Sequence, residues 1–257
     1  LAADDRGSLL LRHDVDRLPG NSLKFAQLQQ SEGLKGTFYF RIVPQSFHPA
    51  IIERVSELGH EIGYHYEDID LVYKERKKKD RGQKIELKSL LDDAIESFDR
   101  NLETLRRFCP VKTICMHGSP LSPFDNKALW TKYDYRDFGI IGEPYFDIDF
   151  NAVAYYTDTG RRWDGENVSV RDKIDRKADD DKSARAKHQS KKENEAHTFP
   201  QFHSTHDMIN AISKGIFPRI AMLTFHPQRW TNNPLLWTKE LLGQRSKNLI
   251  KKYLFVK

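Results

Sequence analysis

Apolar positions along the chain fall into short blocks separated by amphipathic stretches. The run Leu9-Leu10-Leu11-Arg12-His13-Asp14-Val15-Asp16 is apolar at its start and acidic at its end, as a buried parallel strand would be. After Pro19-Gly20, Asn21 or Ser22 caps a helix carrying Leu23, Phe25, Ala26 and Leu28, which stops at Gly33. Thr37 to Arg41 reads as a second strand. A helix from Pro49, with Ile51, Ile52, Val55 and Leu58 on one stripe, closes at Gly59 and leads into a third strand, His60 to His65. A longer amphipathic helix spans Leu87 to about Phe108, its buried face marked by Leu90, Leu91, Ala94, Ile95, Phe98, Leu102 and Leu105. Thr113 to His117 is a fourth strand, Gly139-Ile140-Ile141 and Ala152 to Thr157 are weaker ones, and Ile220 to Phe225 is the last. Ser204 and Asp207 read as a capping pair before Met208, Ile209 and Ile212, which outweighs the metal-like spacing of His203 and His206. Trp237, Leu241, Leu242, Leu249 and Ile250 predict a C-terminal helix packed on the core. Strands alternating with helices predict a parallel α/β sheet, and its closure into a barrel fits the length.

Composition adjusts this picture in one respect. The 257 residues are 38% hydrophobic and 31% charged, and the mean hydropathy of −0.70 is low for a domain of this size. Much of the polarity is local: Lys74 to Lys84 holds seven bases and two acids, a net +5 equal to the formal charge of the whole chain. Arg171 to His197 holds nine bases and seven acids with almost nothing to bury. The expectation is one domain over 1–257 with charged excursions at about 67–86 and 161–200. Runs of this kind are usually solvated faces, so a nucleic-acid partner is disfavoured. No segment is apolar enough for a membrane span and no apolar leader follows a basic start, so a cytoplasmic location is favoured over export. Cys109 and Cys115 form no disulfide framework and are expected to be buried and unreactive.

Candidate chemistry sits at the strand ends. Asp14 and Asp16, Arg41, His65, His117, Thr157 with Asp158, and His226 all fall where an α/β barrel places its active site. Asp14 and Asp16, two apart on a strand, share a face and repel unless a cation or a proton sits between them. The alternative is an Asx turn before Pro19 that caps the next helix. His60 and His65 face opposite ways, leaving His65 as the candidate metal ligand and His60 as a structural residue. His226 is a candidate proton donor, Arg41 a candidate substrate contact, and Trp230 offers an apolar face on which a sugar could stack.

These residues resemble the polysaccharide deacetylases of the NodB-homology type, carbohydrate esterase family four. The likeness rests on Arg12-His13-Asp14-Val15-Asp16, on Gly59-His60-Glu61-Ile62-Gly63-Tyr64-His65 and on Leu223-Thr224-Phe225-His226-Pro227. It implies a distorted (β/α)7-type barrel, a divalent metal, most often Zn2+, and hydrolysis of acetyl groups from a glycan or amino-sugar substrate. On that resemblance Asp14 is the general base, Asp16 and His65 are metal ligands, His226 is the general acid, and the backbone at Gly118 helps hold the oxyanion. Three departures stand out. Val15 separates acids that are usually adjacent, so exchanged roles for Asp14 and Asp16 stay open. Ile69 stands where a further His ligand is usual, making His117 the expected third ligand with Glu67 and Asp68 in reserve. The usual acidic and tryptophan motif that orients base and acid is matched only loosely, by Asp158, Arg161, Arg162 and Trp163. A glycan-binding relative that has lost activity is the alternative, with Ile69 as its support.

Overall fold

The computed structural model describes residues 7–79, 84–119, 122–164 and 199–243. Six strands, β1 (Ser8–Val15), β2 (Thr37–Phe40), β3 (Glu61–Tyr66), β4 (Val111–Met116), β5 (Ala154–Thr157) and β6 (Ile220–Phe225), form one all-parallel sheet in the order β4-β3-β2-β1-β6-β5. Helices α1 (Pro19–Ser31), α2 (Pro49–Glu57), α3 (Asp68–Lys79), α4 (Leu91–Arg106), α5 (Pro144–Asp147) and α6 (Thr205–Ser213) lie between them in the chain. The α/β barrel-type fold and the single domain are as expected.

Alternation along each strand divides the side chains between two environments. Val15, Phe38, Phe40, Ile62, Tyr64, Tyr66, Ile114 and Met116 pack with Ala26, Ile52, Val55, Ile69, Leu91, Phe98 and Leu102 of the surrounding helices in the main core. The other face carries Arg12, Asp14, Tyr39, Gly63, His65 and Cys115, which meet in register across β1 to β4. That face is the inside of a strong curl. In a flat sheet β1 and β4 would lie about 14 Å apart, yet Asp16 Oδ1 beyond β1 is 3.6 Å from His117 Nε2 beyond β4.

The seventh strand expected at Gly139-Ile140-Ile141 is reduced to one parallel bridge, Thr113 with Gly142. The Ile141 N–H donates to the Lys112 carbonyl and the Ile114 N–H to that of Gly142. Gly139 in the left-handed region (φ 70°) on one side and Pro144, which starts α5, on the other leave no room for a longer ladder. Past this bridge, Tyr145, Ile148, Phe150 and Val153 pack on Tyr155 of β5 and Met222 of β6.

The basic run is part of the fold up to Lys79. Asp68 and Asp70 open α3 and Arg76 to Lys79 end it, a charge order that complements the helix dipole. Lys74–Asp70 and Lys79–Glu75 add i,i+4 pairs, and Ile69 and Val72 bury the opposite side. Most of the second charged excursion, residues 165–198, lies outside the described residues. Ser204 and Asp207 form the expected capping box of α6. Residues 234–243 are helical, but Leu235, Leu236 and Leu242 are exposed, so the described part of the C-terminal helix buries little. Polar contacts hold it: Glu240 pairs with Arg17, and the Arg161 guanidinium lies 4.6 Å from the Trp237 ring centre. Leu249 and Ile250 lie outside the described residues. Among the described residues no helix is long and apolar enough to cross a membrane, and Cys109 and Cys115 are buried thiols.

Gly63 tests the packing inside the curl. A Cβ there would lie 2.3 Å from the Tyr39 ring and 3.0 Å from the Thr113 carbonyl, and Tyr39 is itself buried. Gly63→Ala should lower stability by about 1–3 kcal/mol, read as a fall in thermal midpoint, and Tyr39→Leu in the same chain should recover part of it.

Candidate metal and acid–base site

The site lies at the C-terminal ends of the strands and is built by the inward-facing positions. Arg12, Asp14 and Asp16 follow one another at period two up β1 and just beyond it. His65 stands near the end of β3, and His117 and His226 follow β4 and β6 directly. His60 faces outward, its Nδ1 accepting from the Gly36 N–H at 3.2 Å and its Nε2–H donating to the Ala26 carbonyl at 2.9 Å. His13 is also a core residue. It stacks on Phe38 at 4.0 Å, donates to the Thr37 carbonyl, and burial lowers its pKa to about 3, so it is neutral.

Asp16, His65 and His117 converge. Asp16 Oδ1 is 3.5 Å from His65 Nε2 and 3.6 Å from His117 Nε2, too long for good hydrogen bonds. That oxygen is buried and has no hydrogen-bond partner, while Oδ2 accepts from the Gln228 amide at 2.9 Å. The other nitrogen of each ring is engaged. His65 Nδ1 lies 2.8 Å from the Cys115 carbonyl, and His117 Nδ1 lies 3.0 Å from Glu67 Oε2. A carbonyl and a carboxylate only accept, so both Nδ1 atoms carry a proton, and Nε2, which holds the lone pair in the neutral form of each ring, is the atom turned toward Asp16. Burial favours the neutral acid at Asp16, but the imidazoles of His65, His117 and His226 hold its pKa well below the usual carboxylate range. One carboxylate oxygen and two imidazole nitrogens facing one point, each backed by an outer hydrogen bond, are the donor set of a zinc-type centre with an open position. These residues fit a divalent cation.

Asp14 is held differently. Arg12 donates to both its oxygens, Nε to Oδ1 at 2.8 Å and Nη2 to Oδ2 at 2.7 Å. Burial would raise the Asp14 pKa; Arg12 and then His65 outweigh it, and the pKa ends below the usual value. The two acids that Val15 separates thus differ in surroundings: Asp14 is held by an arginine, whereas Asp16 Oδ1 has no hydrogen-bond partner.

A third group stands beyond β5 and β6. Asp158 accepts from the His226 ring at Nδ1 (2.5 Å) and from its backbone N–H (3.0 Å), from Arg229 (2.7 Å) and from the Trp230 indole N–H (2.7 Å). Burial pulls the Asp158 pKa up, but His226 and Arg229 bring it down to about 2. For His226, burial and then Arg229 act to lower the pKa; Asp158 prevails, and it ends above the ordinary value.

Arg41, expected as a substrate contact, is spent inside the protein. Its Nε donates to Glu67 Oε1 at 2.7 Å and its Nη1 to the Asp16 carbonyl at 3.1 Å. Glu67, one of the two reserves, stands behind His117; burial favours its neutral form, but His117 and Arg41 lower its pKa to about 2. Asp68, the other reserve, is turned to Tyr64, Ser97 and Asn101, each at 2.8 Å, and burial raises its pKa to about 6. Ile69 is packed in the main core. Trp230 keeps an exposed ring, and Gly118 lies at the rim after His117. The sequence left the partners of Asp14 and His226 unassigned: Arg12 was quoted without a role, Glu67 stood only as a reserve ligand, and Asp158 was a strand-end acid loosely matching the orienting motif.

No family model matches the chain, and no curated protein matches it significantly. Solved structures to which it is similar include PdaA of Bacillus subtilis, a family 4 carbohydrate esterase (TM-score 0.43, 14% identity, covering 94% of this chain and 78% of that one). A family 4 carbohydrate esterase from Bacillus anthracis gives 0.39 and 12%, over 94% and 80%. BA3943, a CE4 family pseudoenzyme from Bacillus anthracis, gives 0.41 and 11%; 96% of this chain is covered, spanning 62% of that protein's length. Likenesses this distant leave function to the chemistry of the site.

Asp158 is the group that keeps the His226 pKa up. Asp158→Asn should move the His226 titration to lower pH, because burial and Arg229 then act unopposed by the carboxylate; an NMR titration of the ring checks this.

Proposed function

We propose that this protein is a metal-dependent deacetylase that removes acetyl groups, N-acetyl above all, from an amino sugar in a glycan or glycan precursor. The observation that carries the reading is the buried Asp16 Oδ1, without a hydrogen-bond partner and faced by the Nε2 atoms of His65 and His117. Beside it stand a second, arginine-bound carboxylate and a carboxylate-bound imidazole, the acid–base pair that amide hydrolysis needs.

Asp16, His65 and His117 would hold the cation, with Zn2+ best suited to that donor set. Such a cation lowers the pKa of water and polarises the acetyl carbonyl. Asp14 acts as general base. Arg12 occupies one lone pair on each of its oxygens, keeping the carboxylate ionised and leaving a lone pair to accept the proton of water. The Gly118 N–H is the candidate donor to the oxyanion. His226 is the general acid: Asp158 accepts from Nδ1, so the proton on Nε2 is the one delivered to the departing amine. An amine leaves poorly unless protonated, and an imidazole held protonated by a buried carboxylate supplies that proton near neutral pH. The indole N–H of Trp230 is tied to Asp158, fixing a ring that is 38% exposed and against which a pyranose can lie.

The test is acetate release from N-acetylated oligosaccharides by the zinc-loaded chain, alongside measurement of bound metal. Chelation should abolish activity and zinc should restore it. Asp16→Ala should lose the metal, whereas Asp14→Asn and His226→Ala should keep it and lose about 10²–10⁴-fold in kcat. His226 must be protonated to act, so the rate should fall as pH rises through its elevated pKa, above the ordinary imidazole value. Oligosaccharide binding with neither metal nor acetate release would instead favour the inactive glycan-binding relative.

A further inference from the structure

Resting on the reading of Asp16, His65 and His117 as the metal centre, we propose that Glu67, clamped by Arg41, is the positioning carboxylate that makes His117 a ligand. The family pattern places its second histidine where this chain has Ile69, and that side chain is buried in the core. His117 comes instead from the end of the neighbouring strand, and an imidazole brought from a new place must be turned to face the ion in the correct tautomer.

Glu67 supplies both conditions. It follows His65 by two residues and is buried, with 2% of its side chain exposed. Its oxygens are divided: Oε1 takes the Arg41 Nε at 2.7 Å and Nη2 at 2.5 Å, and Oε2 takes His117 Nδ1 at 3.0 Å and, more weakly, the Ser119 hydroxyl at 3.4 Å. Arg41 is anchored in turn, its Nη1 donating to the Asp16 carbonyl at 3.1 Å. The brace therefore ties together the ends of β1, β2, β3 and β4, of which β1, β3 and β4 bring in the three donors. Ser119 Oγ also lies 3.1 Å from His117 Nδ1. A hydroxyl donates or accepts, so Ser119 fits either tautomer; a carboxylate only accepts, so Glu67 selects one. In the neutral ring, the proton on Nδ1 leaves the lone pair on Nε2, which faces Asp16.

Glu67→Gln is nearly isosteric and reverses this selection. The amide has one acceptor oxygen, and Arg41, which can only donate, claims it; the NH2 group then faces His117. Nδ1 must accept, the ring proton moves to Nε2, and the ligand position is blocked.

The experiment uses the full chain stripped of metal, with Zn2+ alone as probe in calorimetry or chelator competition. Glu67→Gln should weaken Zn2+ binding about 10–100-fold, with a much smaller effect from Ser119→Ala. Long-range 1H–15N spectra of the metal-free protein should place the His117 proton on Nδ1 in the wild type and on Nε2 in Glu67→Gln, a change that a merely structural role would not produce. Unchanged Zn2+ affinity in Glu67→Gln, while His117→Ala and Asp16→Ala lose it, would overturn the positioning role and leave the metal centre standing. Unchanged affinity in His117→Ala and Asp16→Ala would overturn the metal centre itself. If Glu67→Gln does not fold, the wild-type spectrum decides: a neutral His117 ring with its proton on Nε2 and a bare Nδ1 refutes the proposal.

Discussion

Ionised side chains turned into the curled sheet are largely out of water, and a buried charge persists only where a partner replaces its lost hydration. Three sets meet that condition within the protein. Arg12 closes Asp14 with two hydrogen bonds, Arg41 and His117 share the two oxygens of Glu67, and Asp158 collects His226, Arg229 and Trp230. Among these four carboxylates Asp16 stands apart, with one oxygen satisfied by Gln228 and the other, buried and without a hydrogen-bond partner, facing two imidazoles. A cation at that point would complete the charge pattern.

These pairs shape the site more than they stabilise the fold. A buried ion pair gains little net free energy over an apolar replacement, but loss of one partner strands the other. Each pair thus holds a side chain in a fixed place: Asp14 beside the centre, His117 turned inward, His226 oriented by its Nδ1. Stability comes from the other face of the sheet, where Phe38, Phe40, Tyr64, Tyr66 and Ile114 pack against the helices. The division follows from strand alternation, which lets a polar interior and an apolar exterior share the same short strands.

Much of this was legible in the chain. Period two placed Asp14 and Asp16 on one face and separated His65 from His60, because a strand's geometry is local. The Ser204 and Asp207 cap was readable for the same reason. The weak strand at Gly139 was overestimated, because two β-branched residues read as a ladder while Gly139 and Pro144 confine the pairing to Gly142. Arg41 was read as a candidate substrate contact at a strand end, and nothing near it in the chain shows that Glu67, 26 positions on, engages it.

The sequence by itself determined the parallel α/β order, the strand ends that carry chemistry and the direction each side chain takes, since these depend on residues a few positions apart. Only the tertiary structure decided the partnerships. Arg12 and Asp14 are two positions apart on one strand, but that the arginine closes on Asp14, that His117 comes up to Asp16, and that Asp158 is the acid held by His226 are set by how the strands sit beside one another and by the curl that brings the end of β4 to the end of β1. The contacts of His117 with Glu67 and Asp16 and of Asp158 with His226 join residues 50 to about 100 positions apart, and no local pattern records them.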